Sequence, residues 1–522
     1  MPFLILFLYI YDKILKMNKT ILAVILSFFS LVTFSQKVSV KWGGMLETKT
    51  GQLGNGGEYY DGVYAYNIES FRGKSIVTVI DKNNKTTKQE VVGNGDYDVR
   101  VEYVFTSPKG TYLIIRGLTK KTTKAMIGYA KVTNGIIDKE IKELKSYDFD
   151  GGNYGDNSVI LESKDASKLA IGYRPASKVN TGFNFIVIND NMDIIQKINK
   201  SSSSNIETSD YDLDSNGNLS VWCKKSATSE KGKSTISLIN FTPERQYKDV
   251  SIKLPKAYVE DFSVHTFDNG KKIIVGTYYN TDNIDSRDGM YGYAMGKRIG
   301  FIGGVNGVFS ILLDTSGSSS SPKLYPFPEE TILKFDVQKK HLDKGIPMVS
   351  FELFTNKFDN SASVFLEETN KSSTTTTYNA YTPYSHSSTS TNYFTNTILV
   401  TKINSTGELQ YSTVIDKKCK YGSMLNYGSY YPFFKEDNLY VLYNKSLYYE
   451  DKKKDIDEKG QVLSELAKIN NSGAIVSSEI LFGNKDVDVV LIPNDCSKID
   501  ENKIKLSGMD RKTIKYGTLE VK

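Results

Sequence analysis

The sequence predicts an all-β fold built from repeated units, and three observations favour it. Aromatic residues are abundant, with 35 tyrosines and 25 phenylalanines among 522 residues, and these residue types favour strands. A polar turn followed by a short apolar run recurs along the chain, which is a hairpin signal. The chain also exceeds the length that a single core usually supports, so a repeat fold or several domains are expected.

Residues 1–36 are expected to lie outside the fold. From Met17 the sequence MNKTILAVILSFFSLVTFSQ places a lysine before an apolar run and ends on small and polar residues. This is the layout of a secretory signal peptide. Residues 1–16 are interpreted as an upstream extension of the reading frame. The alternative is one long membrane anchor, which three charged residues in 1–16 interrupt.

The mature chain, residues 37–522, is expected in the periplasm, with secretion as the alternative. No cysteine stands directly after the cleavage point to accept a lipid. No later apolar run reaches the ~18 residues that a helix needs to cross a bilayer. Cleavage lowers the formal net charge of +6 by two, which is too mild a basic excess to indicate a nucleic-acid partner.

Cysteines are few. Cys223, Cys419 and Cys496 are widely spaced and cannot make a disulfide framework. We expect free buried thiols, with one disulfide as the alternative.

The repeat consists of two units. The first is a polar turn followed by a strand, and the second is a strand, a turn and a short outer strand. Copies of the first unit begin at Ser107, Ser163, Asp214, Phe267, Phe358, Lys435 and Asp500. Copies of the second begin at Lys74, Lys124, Asn184, Ser234, Gly307, Thr395 and Ser464. Because a second unit comes first along the chain, the N-terminal segment is expected to complete the sheet that the C-terminal segment begins.

This offset arrangement resembles a degenerate β-propeller, although WD dipeptides at blade ends and regular kelch glycine pairs are missing. The resemblance covers the whole mature chain and implies one propeller domain, residues 37–522. It implies seven four-stranded blades, with the ring closed by N- and C-terminal strands so that only short edges remain. An eighth blade around GVYAYNIES, from Gly62, is an alternative. Two stacked β-sandwiches are another, but they leave the offset ends unexplained.

Three enlarged loops are predicted to form a binding surface. With strands a to d in each blade, the b–c and d–a connections share one face of the disc. The b–c connections 281–306, 370–394 and 444–461 are long and rich in tyrosine, a favoured contact residue, although tolerated surface insertions are the alternative. The predicted contact residues are Tyr291, Tyr293, Lys297, Arg298, Tyr378, Tyr381, Tyr384, Tyr448 and Tyr449.

The glycine-rich stretch GMYGYAMGKRIGFIGGVNG, from Gly289, lies in the first of these loops. A phosphate-binding loop requires a helix after it, and a strand is predicted here instead. Arg298 follows Lys297 where that motif has Ser or Thr. No nucleotide partner is expected.

Signals of catalysis and metal binding are weak. His265, His341 and His386 have no second histidine at metal-ligand spacing, and no GxSxG occurs. The segment DLDSNG, Asp212 to Gly217, matches the start of a calcium loop but fits a turn better, because Cys223 stands where the loop needs Glu. We expect no metal, no cofactor and no catalytic residues.

The sequence therefore predicts a non-enzymatic, exported scaffold. Its expected partner is a protein of the cell envelope or of an outer-membrane-associated assembly. The alternative is a propeller that binds or cleaves carbohydrate, with carboxylates from Asp148, Asp150 and Asp156 lining a central funnel beside tyrosines.

Overall fold

The structure, a computed structural model, describes residues 38–47, 58–71, 73–81, 85–93, 97–119, 123–148, 159–173, 182–201, 206–226, 234–244, 247–267, 270–280, 292–294, 297–299, 304–314, 318–335, 337, 339–346, 349–356, 358–378, 386–421, 429–446, 462–510 and 513–522. The predicted leader, residues 1–36, lies outside these ranges. The described residues form eight antiparallel sheets of four main strands, arranged as a β-propeller, and one small separate hairpin.

The first strand, β1 (Val38–Glu47), belongs to the last blade, and blades 1 to 3 follow it. Blade 1 contains β2 (Glu58–Tyr60), β3 (Ala65–Phe71), β4 (Lys74–Ile80) and β5 (Thr86–Val92). Blade 2 contains β6 (Tyr97–Ser107), β7 (Gly110–Thr119), β8 (Lys124–Thr133), the short β9 (Ile136–Ile137) and β10 (Lys142–Asp148). Blade 3 contains β11 (Ile160–Glu162), β12 (Lys168–Gly172), β13 (Gly182–Asn189) and β14 (Ile194–Ser201).

Blades 4 to 6 include the longest strands. Blade 4 contains β15 (Ile206–Leu213), β16 (Leu219–Ser226), β17 (Ser234–Phe241) and β18 (Tyr247–Ile252). Blade 5 contains β19 (Ala257–Thr266), β20 (Lys272–Asn280), the hairpin β21 (Gly292–Ala294) and β22 (Lys297–Ile299), β23 (Gly307–Leu313) and β24 (Lys323–Pro326); helix α1 (Glu329–Leu333) and a 3-10 turn (Lys339–Lys344) follow. Blade 6 contains β25 (Val349–Asn356), β26 (Ser361–Tyr378), β27 (His386–Ile403), β28 (Leu409–Ile415) and β29 (Cys419–Tyr421).

Blades 7 and 8 complete the ring. Blade 7 contains β30 (Tyr430–Lys435), β31 (Asn438–Ser446), β32 (Val462–Ile469) and β33 (Ile475–Gly483), followed by helix α2 (Asn484–Val487). Blade 8 contains β34 (Val490–Leu491), a 3-10 turn (Pro493–Asp495), β35 (Ser497–Lys498), β36 (Lys503–Asp510), β37 (Thr513–Val521) and β1.

The count of blades corrects the sequence prediction. Eight blades are present in the described part of the chain, so the alternative of eight is confirmed and the preferred count of seven is wrong. The segment from Lys74 is β4, which pairs with β3 and β5 inside blade 1. Blade 1 was predicted only as the alternative eighth blade, because β3 alternates Tyr66 and Ile68 with polar residues and has no continuous apolar run.

Closure by the two ends of the chain is confirmed, with β1 as the closing strand. It runs antiparallel to β37, from Val38 opposite Val521 to Glu47 opposite Thr513. This makes β1 the outermost strand of blade 8. Closing a ring of blades in this way protects a sheet edge that would otherwise lie open.

Burial follows the position of each strand in its blade. The second strands β7, β12 and β31 are apolar and buried along most of their length, because neighbouring blades cover both faces of a blade. The first strands of consecutive blades contact one another, as β11 does with β15 and β15 with β19, so they surround the centre of the ring. Outer strands such as β5 and β33 are largely exposed.

Seven apolar clusters each join two consecutive blades in the described residues. Between blades 1 and 2, for example, Val77 of β4 packs in one cluster with Leu113 of β7. The remaining cluster, at the side of blade 8 that faces blade 1, holds only blade 8 residues, Ile492, Met509 and Ile514. Among the described residues, the seam between the last and first blades is therefore the one without a shared apolar cluster.

Turn chemistry explains the repeated polar motif. Asn404 in the c–d turn of blade 6 accepts hydrogen bonds from the backbone N–H groups of Thr406 and Glu408 at 3.0 and 2.8 Å. The turn then requires a positive φ, which Gly407 supplies at +74°. Asn470 does the same in blade 7.

Polar side chains on outer strands link each of four blades to the next. Gln89 of blade 1 donates to the carbonyl of Gly135 in the c–d turn of blade 2, at 2.6 Å, and accepts from the N–H of Ile137 at 2.9 Å. The same kind of link, from an outer strand to the next c–d turn, is made by Gln196 to Thr242, Tyr325 to Gly407 and Thr413 to Gly473.

All three cysteines are buried free thiols, as the sequence predicted. Within the described ranges, none of the helices has the length and apolar character that spanning a bilayer requires.

Candidate functional site

Four of the nine predicted contact residues lie in the described part of the chain. These are Tyr293, Lys297, Arg298 and Tyr378. The other five, Tyr291, Tyr381, Tyr384, Tyr448 and Tyr449, lie outside the described residues, so their part in a surface stays a prediction.

The b–c connection of blade 5 contains the hairpin of β21 and β22. Its ladder places Tyr293 opposite Arg298 and Ala294 opposite Lys297. The backbone thus brings an aromatic residue and two basic residues together between β20 and β23. The strand β23, and no helix, follows this segment.

The b–c connection of blade 6 is a two-stranded ribbon over most of the range predicted as a loop. Strands β26 and β27 continue past the blade, with Asn370 opposite Phe394 and Tyr378 opposite His386. We call residues 370–378 and 386–394 the ribbon. Its strands hold many Thr, Ser and Tyr residues. Thr and Tyr are favourable in strands, which explains why the insertion pairs with itself.

The ribbon is long and is supported at its base. At ~3.3 Å per residue its paired strands extend about 30 Å beyond the blade. A register shift between Glu367 and Thr369 marks a bulge where the ribbon leaves the blade, and such bulges re-aim a strand. The short β29 pairs with β27 from Tyr393 to Thr395.

A buried ion pair lies beside this bulge. Lys417 is completely buried and donates to the carboxylate of Glu367, which is nearly so. Lys417 also donates to the carbonyl of Ser429 at 3.2 Å, at the start of blade 7. Burial raises the pKa of Glu367, and the charge of Lys417 acts in the opposite direction.

This cluster is closed to solvent and holds two blades together. Tyr430 of blade 7 is buried, and its ring stacks on Phe365 of blade 6 with centroids 5.1 Å apart. Burial also raises the pKa of the Cys419 thiol to about 11. The arrangement anchors the base of the ribbon and offers no open cavity for a substrate.

A second charged cluster joins blades 2 and 3. Arg116 of β7 donates to Glu102 at 2.9 Å, to the hydroxyl of Tyr147 at 2.7 Å and to the carbonyl of Gly172 in blade 3 at 3.1 Å. Arg116 is buried. Three fixed partners satisfy its planar donor group, so its role is structural.

Aromatic and acidic side chains meet on the inner strands of blades 1 to 3. The rings of Tyr59 and Tyr103 pack edge to face with centroids 5.2 Å apart. The hydroxyl of Tyr103 donates to Glu162 at 2.9 Å. Glu162 is exposed, yet surrounding protein raises its pKa by desolvation. These three residues place two aromatic rings and a carboxylate on the innermost strands of three consecutive blades, where Tyr59 and Tyr103 also pack against the apolar clusters between blades.

Asp148 is the one described residue of the acidic cluster predicted to line the central funnel, and it does not lie at the centre of the ring. Asp148 is the last residue of β10, the outermost strand of blade 2, and is exposed. It therefore lies at the rim. Asp150 and Asp156 lie outside the described residues. In the described residues no group of three His, Cys, Asp or Glu side chains is placed to hold a metal ion.

The turn interpretation of Asp212 to Gly217 agrees with the structure. The carboxylate of Asp214 accepts from the N–H groups of Asn216 and Asn218 at 2.9 and 2.8 Å. Asp212 forms an ion pair with Lys272 of blade 5. Both carboxylates therefore already have protein partners.

Neither the buried pair of Lys417 and Glu367 nor the group of Tyr59, Tyr103 and Glu162 was predicted from the sequence. Glu367 and Lys417 stand fifty positions apart, and nothing local in either segment points to the other. The one available signal was a glutamate in an otherwise apolar central strand, VFLEE, because buried charges are usually paired.

Comparisons with known protein families and with curated proteins find no match. Solved structures similar to the chain include the polysaccharide lyase Uly1, at 9% identity and a TM-score of 0.36, with 90% of each chain covered. A member of the DUF4221 family from Bacteroides vulgatus is 11% identical, with a TM-score of 0.28 and coverage of 94% of this chain and 99% of that one. The β-propeller domain of the Trilobed protease from Pyrococcus furiosus is 8% identical, with a TM-score of 0.34 and coverage of 86% and 97%. At identities and TM-scores this low, the activities of these proteins are not assigned to this chain.

Proposed function

We propose that this protein is a non-enzymatic, exported β-propeller that binds a protein partner of the cell envelope. The contact surface is formed by the b–c connections of blades 5, 6 and 7. The observation that carries the proposal is the ribbon, which extends from blade 6 between β26 and β27.

The ribbon is a structure that gains from a partner. A two-stranded hairpin in water is only marginally stable without a third strand or a packed face. Among the described residues only β29 adds a third strand, and it covers three residues at the base. A protein that packs on the outer part of the ribbon would supply the missing contacts.

The base of the ribbon supports a positioning role. The ion pair of Lys417 and Glu367 and the adjacent bulge fix where the two strands leave blade 6. Binding elements on a rigid scaffold lose less entropy when they bind.

The place of action follows from the leader. The signal-peptide layout after Met17 directs the chain across the inner membrane. The mature chain then acts in the periplasm, where envelope assemblies are accessible.

A shortened ribbon tests the proposal. Lys371 pairs with Tyr393, so residues 372–392 can be replaced by Asn-Gly, a two-residue turn that closes a hairpin. The variant keeps all three partners of β29. We expect in-cell crosslinking of the protein, tagged after Lys522, to recover a stoichiometric envelope protein that the variant loses.

Two controls make the result specific. An equal thermal unfolding midpoint shows that the shortened variant is folded. A second variant, Arg116→Lys, changes a charged cluster away from the ribbon and should retain the partner. Recovery of the same partner by the shortened variant, or of no partner by either protein, would overturn the proposal.

A carbohydrate ligand is the second candidate, supported by Tyr59, Tyr103 and Glu162. Aromatic faces beside a carboxylate suit sugar rings and their hydroxyl groups. If this candidate holds, Tyr103→Ala lowers retention on envelope polysaccharide while the shortened ribbon does not. Equal retention of all three proteins excludes it.

A further inference from the structure

A small polar cleft lies between blade 2 and the c–d turn of blade 3. Its volume is about 260 Å³, and it is lined by two tyrosines, two lysines, two carboxylates and Asn191. Pockets for drug-sized ligands usually start at roughly 300 Å³. The cleft therefore suits a single small molecule and not a length of polymer.

The register of blade 2 places most of the lining side chains on one face of its sheet. Lys131 of β8 lies opposite Tyr112 of β7, and the N–H of Asp138 donates to the carbonyl of Lys131 at 2.9 Å. Two residues earlier on β8, Tyr129 lies opposite Lys142 of β10. Opposite residues, and alternate residues of one strand, share a face, so these five side chains form two adjacent rows.

Packing between the blades holds the aromatic part of the cleft in place. Tyr112 belongs to the apolar cluster that joins blades 2 and 3, and Tyr129 packs against it. The two rings meet edge to face with centroids 5.8 Å apart. On the side of blade 3, the side-chain oxygen of Asn191 accepts from Lys109 at 2.9 Å.

The hydroxyl of Tyr112 is available to a ligand. Tyr112 is 7% exposed, and its hydroxyl forms no hydrogen bond with any residue that the structure describes, although buried hydroxyls usually have a partner. The hydroxyl and Cε of Lys131 lie 3.7 and 3.8 Å from the point that a Cβ would occupy at Gly110. Burial raises the pKa of Tyr112, so the hydroxyl keeps its proton and can donate it to an acceptor beside Lys131.

The four charged side chains of the cleft also lack protein partners. Lys131, Lys142, Asp138 and Glu140 form no ion pair and no side-chain hydrogen bond within the described ranges. Lys131 and Asp138 stay apart although their backbones are paired. Two positive and two negative groups thus surround one small volume.

We propose that this cleft binds a free α-amino acid as its zwitterion. The carboxylate of the ligand faces Lys131 and the hydroxyl of Tyr112, and its ammonium group faces Asp138 and Glu140. Hydrogen bonds between charged groups are the stronger kind, and a zwitterion makes them with both signs at once. A neutral sugar would leave the lysines without an anionic partner, and a simple anion would leave the carboxylates without a cationic one.

This inference goes beyond the proposed function and does not depend on it. Tyr112 comes directly after the a–b turn of blade 2, between β6 and β7. The cleft therefore lies towards the face of the disc opposite the b–c connections and the ribbon.

Thermal unfolding of the mature protein with the common L-amino acids, added one at a time at millimolar concentration, tests the proposal. At least one should raise the midpoint with a saturable dependence on concentration, and titration calorimetry should give one site per chain. The N-acetyl derivative and the amide of that amino acid each lack one charge and should bind roughly tenfold more weakly or worse. Glucose should leave the midpoint unchanged.

Variants then locate the site. Lys131→Gln and Asp138→Asn should each weaken binding of that amino acid by roughly tenfold, and Tyr112→Phe, which keeps the packed ring, by several-fold. The matched controls are Lys88→Gln on the exposed strand β5 and Glu143→Gln beside Lys142 on the opposite face of β10, and both should bind as the unmodified protein does. The proposal is overturned if no amino acid raises the midpoint, if the two derivatives bind equally well, or if Lys131→Gln and Asp138→Asn keep full affinity.

Discussion

Lys417 and Glu367 form an ion pair that water does not reach, with the lysine completely buried. Taking both charges out of water costs several kcal/mol per ion, and their mutual attraction offsets this cost only while both are present. The pair therefore behaves as one unit.

Substitution of one partner should be far worse than substitution of both. Lys417→Met leaves a buried, unpaired carboxylate and is expected to lower the free energy of unfolding by about 3–5 kcal/mol. The double variant Lys417→Met with Glu367→Met should recover most of that loss. Urea unfolding of the two single variants and the double variant measures the coupling. A double variant as unstable as the two losses added together would contradict the prediction.

The link between blades 1 and 2 should contribute measurably to stability. Gln89→Ala removes two hydrogen bonds to the c–d turn of blade 2 and is expected to cost about 1–3 kcal/mol. Gln410→Ala, at an exposed position on the outer strand β28, is the control and should be near neutral. Thermal unfolding distinguishes them. Equal midpoints for both variants would show that the link is dispensable.

Lys505 should make stability depend on pH. Burial lowers its pKa to about 8, below the value of about 10.4 in an unfolded chain. The unfolded state then binds more protons between these two pH values, so the free energy of unfolding rises with pH through this window. Below pH 8 the full penalty of a partly buried charge remains.

Lys505→Met removes that penalty. We expect a higher unfolding midpoint than the unmodified protein at pH 7, with the difference shrinking as the pH approaches 10.5. Lys503→Met, two residues away on an exposed part of β36, should give no such trend. If the difference in unfolding midpoint between Lys505→Met and the unmodified protein stayed constant with pH, the lowered pKa of Lys505 would be contradicted.

The three cysteines should be unreactive in the folded protein. Burial raises the pKa of Cys419 to about 11 and that of Cys496 to about 12, and Cys223 is buried as well. The thiolate is the reactive form, so Ellman's reagent at pH 8 should label almost none of them. Guanidinium chloride should release all three. Rapid labelling of the native protein would contradict their burial.

The elements that sequence predicted well are those with local causes. The turns at Asp214 and Asn404 were recognisable because Asp, Asn and Gly satisfy the turn backbone themselves. The strands after them were recognisable from apolar runs that two neighbouring blades bury. The all-β class and the blade-like repeats follow from these local signals, and closure of the ring was predicted from the order in which the repeats occur.

The features that sequence did not predict depend on distant partners. Strand β1 gives no local sign that β37 is its neighbour, so the sequence predicted closure by an N-terminal segment without identifying β1 as the closing strand. The ribbon was expected as a loop because pairing across Asn370 and Phe394 depends on register, which Ser- and Thr-rich strands specify weakly. The inner group of Tyr59, Tyr103 and Glu162 exists only because three blades meet there.

Pairing of β1 with β37 has a consequence for how the chain acquires its fold. Strand β1 leaves the ribosome or a translocation channel long before β37, yet it can pair only with β37, because Val38 lies opposite Val521. Blades 1 to 7 can form in sequence from contacts within each meander, but blade 8 forms only after the whole chain has emerged. Contacts between such distant residues slow folding. The final step is therefore expected to be slow, and until it occurs the nascent protein presents an open sheet edge to chaperones and proteases.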